Sequence, residues 1–300
     1  MKKIGVFVAL FSILICWSCS DGPEKDTYTL GKGTVHISVD ETFKPIIEQE
    51  IKVFESNHTE ANIIAHYKPE SECFKDFFKD STPLILVTRK LSTAESDIAK
   101  TNKIVPTTIA LARDGVAVIV HPQSPDSNLS PQNIQGILSQ KFERPYTVVF
   151  DHQGSSTVRY IQEHLTKGAP LGTNVFAAQS NAEVVEYVSK NKNAMGILGV
   201  SYVSDTGDSI NEAFLDKVRL VSLYNDSTRE YLKPYQAYLA LQTYPFTRTL
   251  YAINRETIPG LAKGFMNFLM DERGQLLFSK SRLFPLRMNV VIREAAINTD

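Results

Sequence analysis

Short apolar runs alternate with amphipathic stretches along almost the whole chain, and this alternation restricts the possible folds more than any other feature. Thr34-Val35-His36-Ile37-Ser38-Val39 reads as a strand, and Ile47, Ile51 and Phe54 then recur at helical spacing behind Pro45, a residue suited to a first helical turn. Leu84-Ile85-Leu86-Val87 is a buried strand, and Ser92-Thr93-Ala94-Glu95 after it is a capping box that opens a helix. Val116 to Val120 forms a further strand, closed by the turn-rich His121 to Asp126, and Ser130-Pro131-Gln132-Asn133 starts a short helix. Val184, Tyr187 and Val188 mark another helix, Ala194 to Val200 a glycine-bearing strand or turn, and Asp205 to Ser209 a polar loop. Val218 to Leu223 reads as a strand, and Leu261 to Ser279 as one amphipathic helix. The pattern predicts an α/β protein. Nothing in the middle of the chain has linker composition, so any two lobes would be joined by crossing strands rather than by a flexible hinge.

One junction stands out chemically. Tyr146-Thr147-Val148-Val149-Phe150 leads into Asp151-His152-Gln153-Gly154-Ser155-Ser156-Thr157 and then a helical pattern. A strand, a small-hydroxyl loop and a helix start leave free backbone N–H groups pointing at an anion. Thr42-Phe43 and Thr88-Arg89 each follow a strand in the same way, and a site assembled from three such junctions needs no catalytic residue. Asp151, His152 and Ser155 or Ser156 invite a hydrolase reading, but residues this close along one loop rarely form a nucleophile–base–orienter set, and G-x-S-x-G is absent. No Walker A loop is present, and the six histidines show no ligand pair at metal spacing, so no metal or organic cofactor is expected.

The first nineteen residues read as an export signal: Lys2 and Lys3 precede an apolar core, Ile4 to Ile15, too short to span a membrane as a stable helix. Cys16-Trp17-Ser18-Cys19 follows, similar to a bacterial lipoprotein signal in which Cys19 receives lipid, with Cys16 a departure from the usual aliphatic residue. Residues 20–32 read as a tether. Cys73 then has no partner, and among Phe74, Phe77 and Phe78 it reads as a buried thiol. The formal charge of −1 becomes −3 without Lys2 and Lys3, and no basic run suggests nucleic acid.

Several segments in order then match a family: Asp40-Glu41-Thr42-Phe43-Lys44-Pro45, Asp114 to Val120 with Leu129-Ser130-Pro131, Gln153 to Thr157, Ala194-Met195-Gly196-Ile197 with Ser201-Tyr202-Val203, Tyr244-Pro245-Phe246-Thr247-Arg248, and Gly274-Gln275 with Phe284-Pro285-Leu286. Through them the chain resembles the phosphate-binding lipoproteins that serve ABC importers, within the type II periplasmic binding proteins. The resemblance implies two α/β lobes with the ligand cleft between them, residues 33–115 plus 235–300 forming the first and 116–234 the second. It implies an extracytoplasmic, lipid-anchored monomer that hands inorganic phosphate to an ABC permease, the lobes closing at crossings near residues 115 and 235. An import role for another oxyanion, or an envelope sensor with no transporter, are the alternatives.

By the same resemblance Thr42, Phe43, Ser71, Thr88, Arg89, Gly154, Ser155, Ser156 and Thr157 are the candidate phosphate-binding residues. Arg159 either reaches the cleft as the second lobe's cation or faces solvent. Many relatives carry Gly at the position of Ser156, an Arg near that of Asp151 and an Asp at that of Arg89. That Asp accepts a proton from monohydrogen phosphate and so rejects sulfate. With Arg89 there instead, a bidentate fork to any tetrahedral oxyanion is expected, and Arg89→Ala should weaken binding at least about tenfold. Asp40 or Glu41 would have to supply the missing acceptor.

Overall fold

The computed structural model describes residues 29–79, 81–204 and 217–289. The expected signal with Cys16 and Cys19, most of the tether, and the Asp205–Ser209 loop lie outside the described residues. In chain order the strands are β1 (Gly33–Asp40), β2 (Ala61–Lys68), β3 (Leu84–Val87), β4 (Thr107–Val120), β5 (Asn128–Leu129), β6 (Thr147–Phe150), β7 (Val175–Ala177), β8 (Ala194–Gly199), β9 (Arg219–Leu220), β10 (Ser222–Asn225), β11 (Glu230–Leu232), β12 (Thr247–Asn254) and β13 (Phe284–Pro285). The helices are α1 (Lys44–Asn57), α2 (Glu70–Phe77), α3 (Thr93–Thr101), α4 (Pro131–Leu138), α5 (Ser156–His164), α6 (Asn181–Lys190), α7 (Ser201–Ser204), α8 (Gln236–Ala240), α9 (Leu261–Met270) and α10 (Glu272–Lys280), with a 3-10 turn at Glu41–Phe43.

One long sheet runs in the order β2-β1-β3-β12-β4-β8-β6-β7, and β5, β10 and β11 make a small second sheet. β1 pairs in parallel with β2 and β3, and β6 with β7 and β8, while β12 and β8 flank β4 antiparallel. β4 is therefore shared. Thr107–Gly115 pairs with β12, and Val116–Val120 with β8.

Apolar side chains sort into cores on either side of that midpoint. Ile37, Ile47, Phe54, Leu84, Ala112, Phe265 and Phe278 belong to the first half, with Cys73, Phe74 and Phe77 on the opposite face of its strands. In the second half Val116, Val118 and Val120 face one core while Ala117 and Ile119 face another, the period-two alternation of a strand covered on both sides. Leu239, Tyr244 and Phe246 pack with the second core, although the expected boundary at 235 assigns them to the first lobe. Leu250 is the first residue of β12 in the first core, so the return crossing lies in β12 itself.

Three elements differ from expectation: β4 begins at Thr107 rather than at Val116, and two others are divided. The single helix over Leu261 to Ser279 is two, because Asp271 is extended (φ −72°, ψ 163°) between α9 and α10. Gly274 allows that elbow: a Cβ there would lie 2.4 Å from the Phe268 carbonyl oxygen. Hydrophobic spacing continues across the break, which hides it from a periodicity argument. The strand over Val218 to Leu223 divides at Val221, with β9 pairing β4 and β10 pairing β5. The expected capping box forms at Ser92/Glu95, and the expected helix start at Ser130 is a second one, with Asn133.

Glu50 is buried on α1 and neither carboxyl oxygen has a hydrogen-bond partner. Burial pushes its pKa up to about 10. A carboxyl raised on folding contributes stability that is complete below its unfolded value and is lost as pH rises toward the folded one. Glu50→Gln is therefore expected to leave urea stability nearly unchanged at pH 4 and to raise it at pH 8, by on the order of 3 kcal/mol.

Candidate functional site

The first and second junctions of the sequence meet between the two halves. At the end of β1, Asp40 caps the 3-10 turn, its Oδ1 accepting from the Thr42 amide at 3.1 Å. Across the gap, Ser155 caps α5 by accepting from the Val158 amide at 3.2 Å. The Ser156 and Thr157 amides ahead of it have no intrahelical acceptor, so the positive end of α5 faces the gap. The Thr42 and Ser156 hydroxyl oxygens stand 3.5 Å apart.

Arg248, to which the sequence reading gave no role, completes the cluster. It lies directly opposite Asp114 in the β12–β4 ladder and donates from Nε to Asp114 Oδ2 at 2.7 Å. Its Nη1 donates to Ser156 Oγ at 2.9 Å and Thr157 Oγ1 at 3.4 Å, joining the two halves. The Phe43 ring lies 5.5 Å from the guanidinium carbon. Burial works against the arginine's charge, but Asp114 and Asp40 outweigh it and hold the guanidinium protonated. The signal was present in the sequence: Asp114 and Arg248 stand in strands rich in apolar residues, where a charge calls for a partner.

Asp40, Thr42, Asp114, Ser156, Thr157 and Arg248 are all buried. Among them Arg248 Nη2, Asp40 Oδ2 and Asp114 Oδ1 have no hydrogen-bond partner. Arg248 donates to Asp114, and Asp40 feels it only at a distance. Burial and the Glu70 charge raise its pKa to about 7, against the pull of Arg248, the Ser156 hydroxyl and the Thr42 amide. Gly199, at the end of β8, makes room for this packing. A Cβ there would lie 2.2 Å from Thr42 Cγ2 and 3.2 Å from Arg248 Nη2.

The third junction is built differently from its expectation. Both Nη atoms of Arg89 are bound by Glu95, at 2.6 and 2.9 Å, and the guanidinium lies 3.5 Å over the Phe74 ring. Its fork is thus committed to the helix cap rather than free for an anion, and the tenfold loss expected of Arg89→Ala has no geometric basis. Thr88 gives both its amide and its hydroxyl to Glu70 Oε1, at 2.7 and 2.8 Å, and its hydroxyl accepts from Arg159 at 2.8 Å. Arg159, on α5, also donates to Glu70 Oε2 at 2.6 Å and to Glu163 at 2.5 Å. It therefore reaches the other half, as a tie between carboxylates rather than as a free cation. Ser71 and Gly154 approach each other across the gap: the Ser71 amide lies 3.5 Å from the Gly154 carbonyl. Gly154 has φ +86°, and a Cβ would come within 2.9 Å of Ser71 Oγ.

No nucleophile–base pair forms in the 151–157 loop. His152 Nε2 faces Glu41 at 3.0 Å, its Nδ1 faces the Ala178 carbonyl at 3.3 Å, and the Ser155 hydroxyl is engaged in capping.

Residues 25–273 match the family model for the PBP superfamily domain, and the chain belongs to that family. Its fold, a mixed α/β structure on one curled sheet, is that of the type II periplasmic binding proteins. It is similar to the phosphate-binding protein PstS of Pseudomonas aeruginosa, with 23% identity over 210 residues that cover 62% of each chain. The chain thus spans under two thirds of that relative's length. Among solved structures it is similar to a candidate phosphate ABC transporter substrate-binding protein with bound phosphate from Clostridium perfringens (TM-score 0.72, 22% identity, 85% of this chain and 100% of that one). An ABC-type phosphate transport receptor from Vibrio cholerae is also similar (TM-score 0.65, 17% identity, 84% of this chain and 100% of that one). No helix among the described residues is long and apolar enough to cross a membrane.

Proposed function

We propose that this protein captures inorganic phosphate outside the cytoplasm and delivers it to an ABC permease, by binding without turnover. The observation that carries the reading is the pairing of an unmatched donor, Arg248 Nη2, with an unmatched acceptor, Asp40 Oδ2, in one buried cluster of hydroxyls at a helix N-terminus. A ligand that answers both offers bare oxygens and one acidic hydroxyl, as monohydrogen or dihydrogen phosphate does. The names of the relatives in Pseudomonas, Clostridium and Vibrio support the same ligand and the same kind of transporter.

In this reading Thr42, Ser156 and Thr157 give hydroxyls, Phe43, Ser156 and Thr157 give backbone amides, and Arg248 gives the cation. Asp40 takes the ligand's proton, replacing the acid that relatives carry at the position of Arg89. Ser71, Gly154 and Ser155 shape the rim and the cap, and Thr88 with Arg159 ties the halves rather than touching the ion. Residues 33–115 with the C-terminal part would be one lobe and the middle of the chain the other, closing over the ion. Lipid on Cys19 would keep a monomeric receptor at the membrane, where tethering raises its concentration beside the permease.

Competition calorimetry with phosphate, sulfate and molybdate tests the ligand. Micromolar phosphate binding, about 8 kcal/mol, is expected. Sulfate at pH 8 should be weaker by about 100-fold, because it leaves Asp40 facing a bare oxygen. Equal affinities would remove Asp40 from its role, and absent phosphate binding would end the reading.

A further inference from the structure

Beside the anion cluster lies a second group of polar side chains that the binding reading leaves unused. Glu41, in the 3-10 turn of the first half, points at His152 of the second, with Oε2 3.0 Å from Nε2. The Ala178 carbonyl can only accept, so His152 Nδ1 carries a hydrogen and donates to it. Nε2 and the Glu41 carboxyl then share one proton, written either as imidazolium with carboxylate or as neutral imidazole with carboxylic acid. Removing that proton sets a lone pair against a carboxylate at 3.0 Å.

The surroundings make that loss costly. Glu41 Oε1 and both oxygens of Asp151 are buried without hydrogen-bond partners, and Asp151 is wholly inaccessible. Asp40 flanks Glu41 in the chain, and the Tyr202 hydroxyl on α7 donates to the Glu41 carbonyl at 3.2 Å. Farther out, Glu48 on α1 and Tyr67 on β2 face Tyr202, and Lys44 pairs with Glu48 at 3.8 Å. Arg248 and His152 are the basic groups whose charge bears on Asp151. Burial, then Asp151, then Asp40 raise the Glu41 pKa to about 8. A group raised on closure favours the closed form at low pH and releases it as pH rises through that value.

We propose that Glu41 and His152 form a proton-dependent latch between the two halves, positioning residues that hold the anion site closed without touching the ion. Closure near neutral pH takes up about one proton on this pair, independently of the ligand's own ionisation. The inference rests on the binding reading only where phosphate serves as the probe.

The test compares wild type, Glu41→Gln and His152→Phe. The side-chain amide introduced by Glu41→Gln can donate to Nε2 at every pH, so it keeps the contact and removes the titration. Phosphate binding is measured by calorimetry from pH 6.5 to 9.5 in buffers of different ionisation enthalpy, which counts protons taken up; phosphate's own titration is common to all three proteins. Relative to Glu41→Gln, wild type should weaken by up to about tenfold per pH unit between about pH 6.5 and 8, level off above that, and take up close to one more proton near pH 7.5. His152→Phe should bind more weakly at pH 7 and lack that extra uptake. Small-angle X-ray scattering of the ligand-free proteins gives a probe-independent arm: wild type should expand across about pH 8 and Glu41→Gln should not. Parallel behaviour of wild type and Glu41→Gln in both measurements would overturn the latch. Failed phosphate binding with the scattering transition intact would overturn only the choice of ligand.

Discussion

Arg248→Ala is expected to unfold the protein more readily than any other single change at the site. It strands Asp114, a wholly buried carboxylate, without its partner, and breaking such a pair costs about 3–5 kcal/mol. Urea denaturation at pH 7 should show that loss, and phosphate affinity should fall more than about 100-fold where the variant still folds. Arg248→Lys separates the two roles. One ammonium can stay near Asp114 and recover much of the stability, but it cannot serve Asp114, Ser156 and Thr157 with separate planar donors. Replacing both partners, Arg248→Met with Asp114→Leu, should restore stability and leave binding abolished. An Arg248→Ala protein of wild-type stability would mean that Asp114 is protonated in the fold.

Asp40→Asn is expected to change which ion is bound rather than how stable the protein is. The amide can donate where the carboxylate could only accept, so sulfate should gain about 10- to 100-fold and phosphate should lose its advantage. Wild type should show the same shift with pH. Asp40 titrates near 7, so sulfate binding should fall by about tenfold per pH unit above that value and level off below it. In Asp40→Asn it should be flat across the same range. Isothermal titration with sulfate at pH 5.5 and 8.5 separates the cases; a pH-independent wild type would show that Asp40 does not face the ion.

Much of this architecture was legible in the sequence. Apolar runs located β1, β3, the second part of β4 and β6, and N-cap chemistry placed the starts of α3, α4 and α5. Local rules suffice there because the residues that decide each element are near neighbours. They fail where the decision is made at a distance. Thr88-Arg89 sits after a strand like the other junctions, yet Glu70 and Glu95 consume its donors, and nothing within the dipeptide announces those partners. Arg248 and Asp114 are separated by most of the second half, and only the antiparallel register makes them one unit. The break at Asp271 depends on how closely Gly274 approaches Phe268. Asp40 and Glu41 looked interchangeable as neighbours, and the fold sends one toward the arginine and the other toward a histidine.

β4 passes without interruption from one half of the sheet to the other, and β12 crosses back beside it. At the changeover the Val200 amide donates to the Gly115 carbonyl and the Val116 amide to the Phe246 carbonyl, both at 2.8 Å. Any rocking of one body against the other must therefore bend extended backbone whose amides are already spoken for. Such a joint is springy rather than loose: it resists wide gaping, returns on its own, and limits how far an incoming ion must wait for the walls to travel.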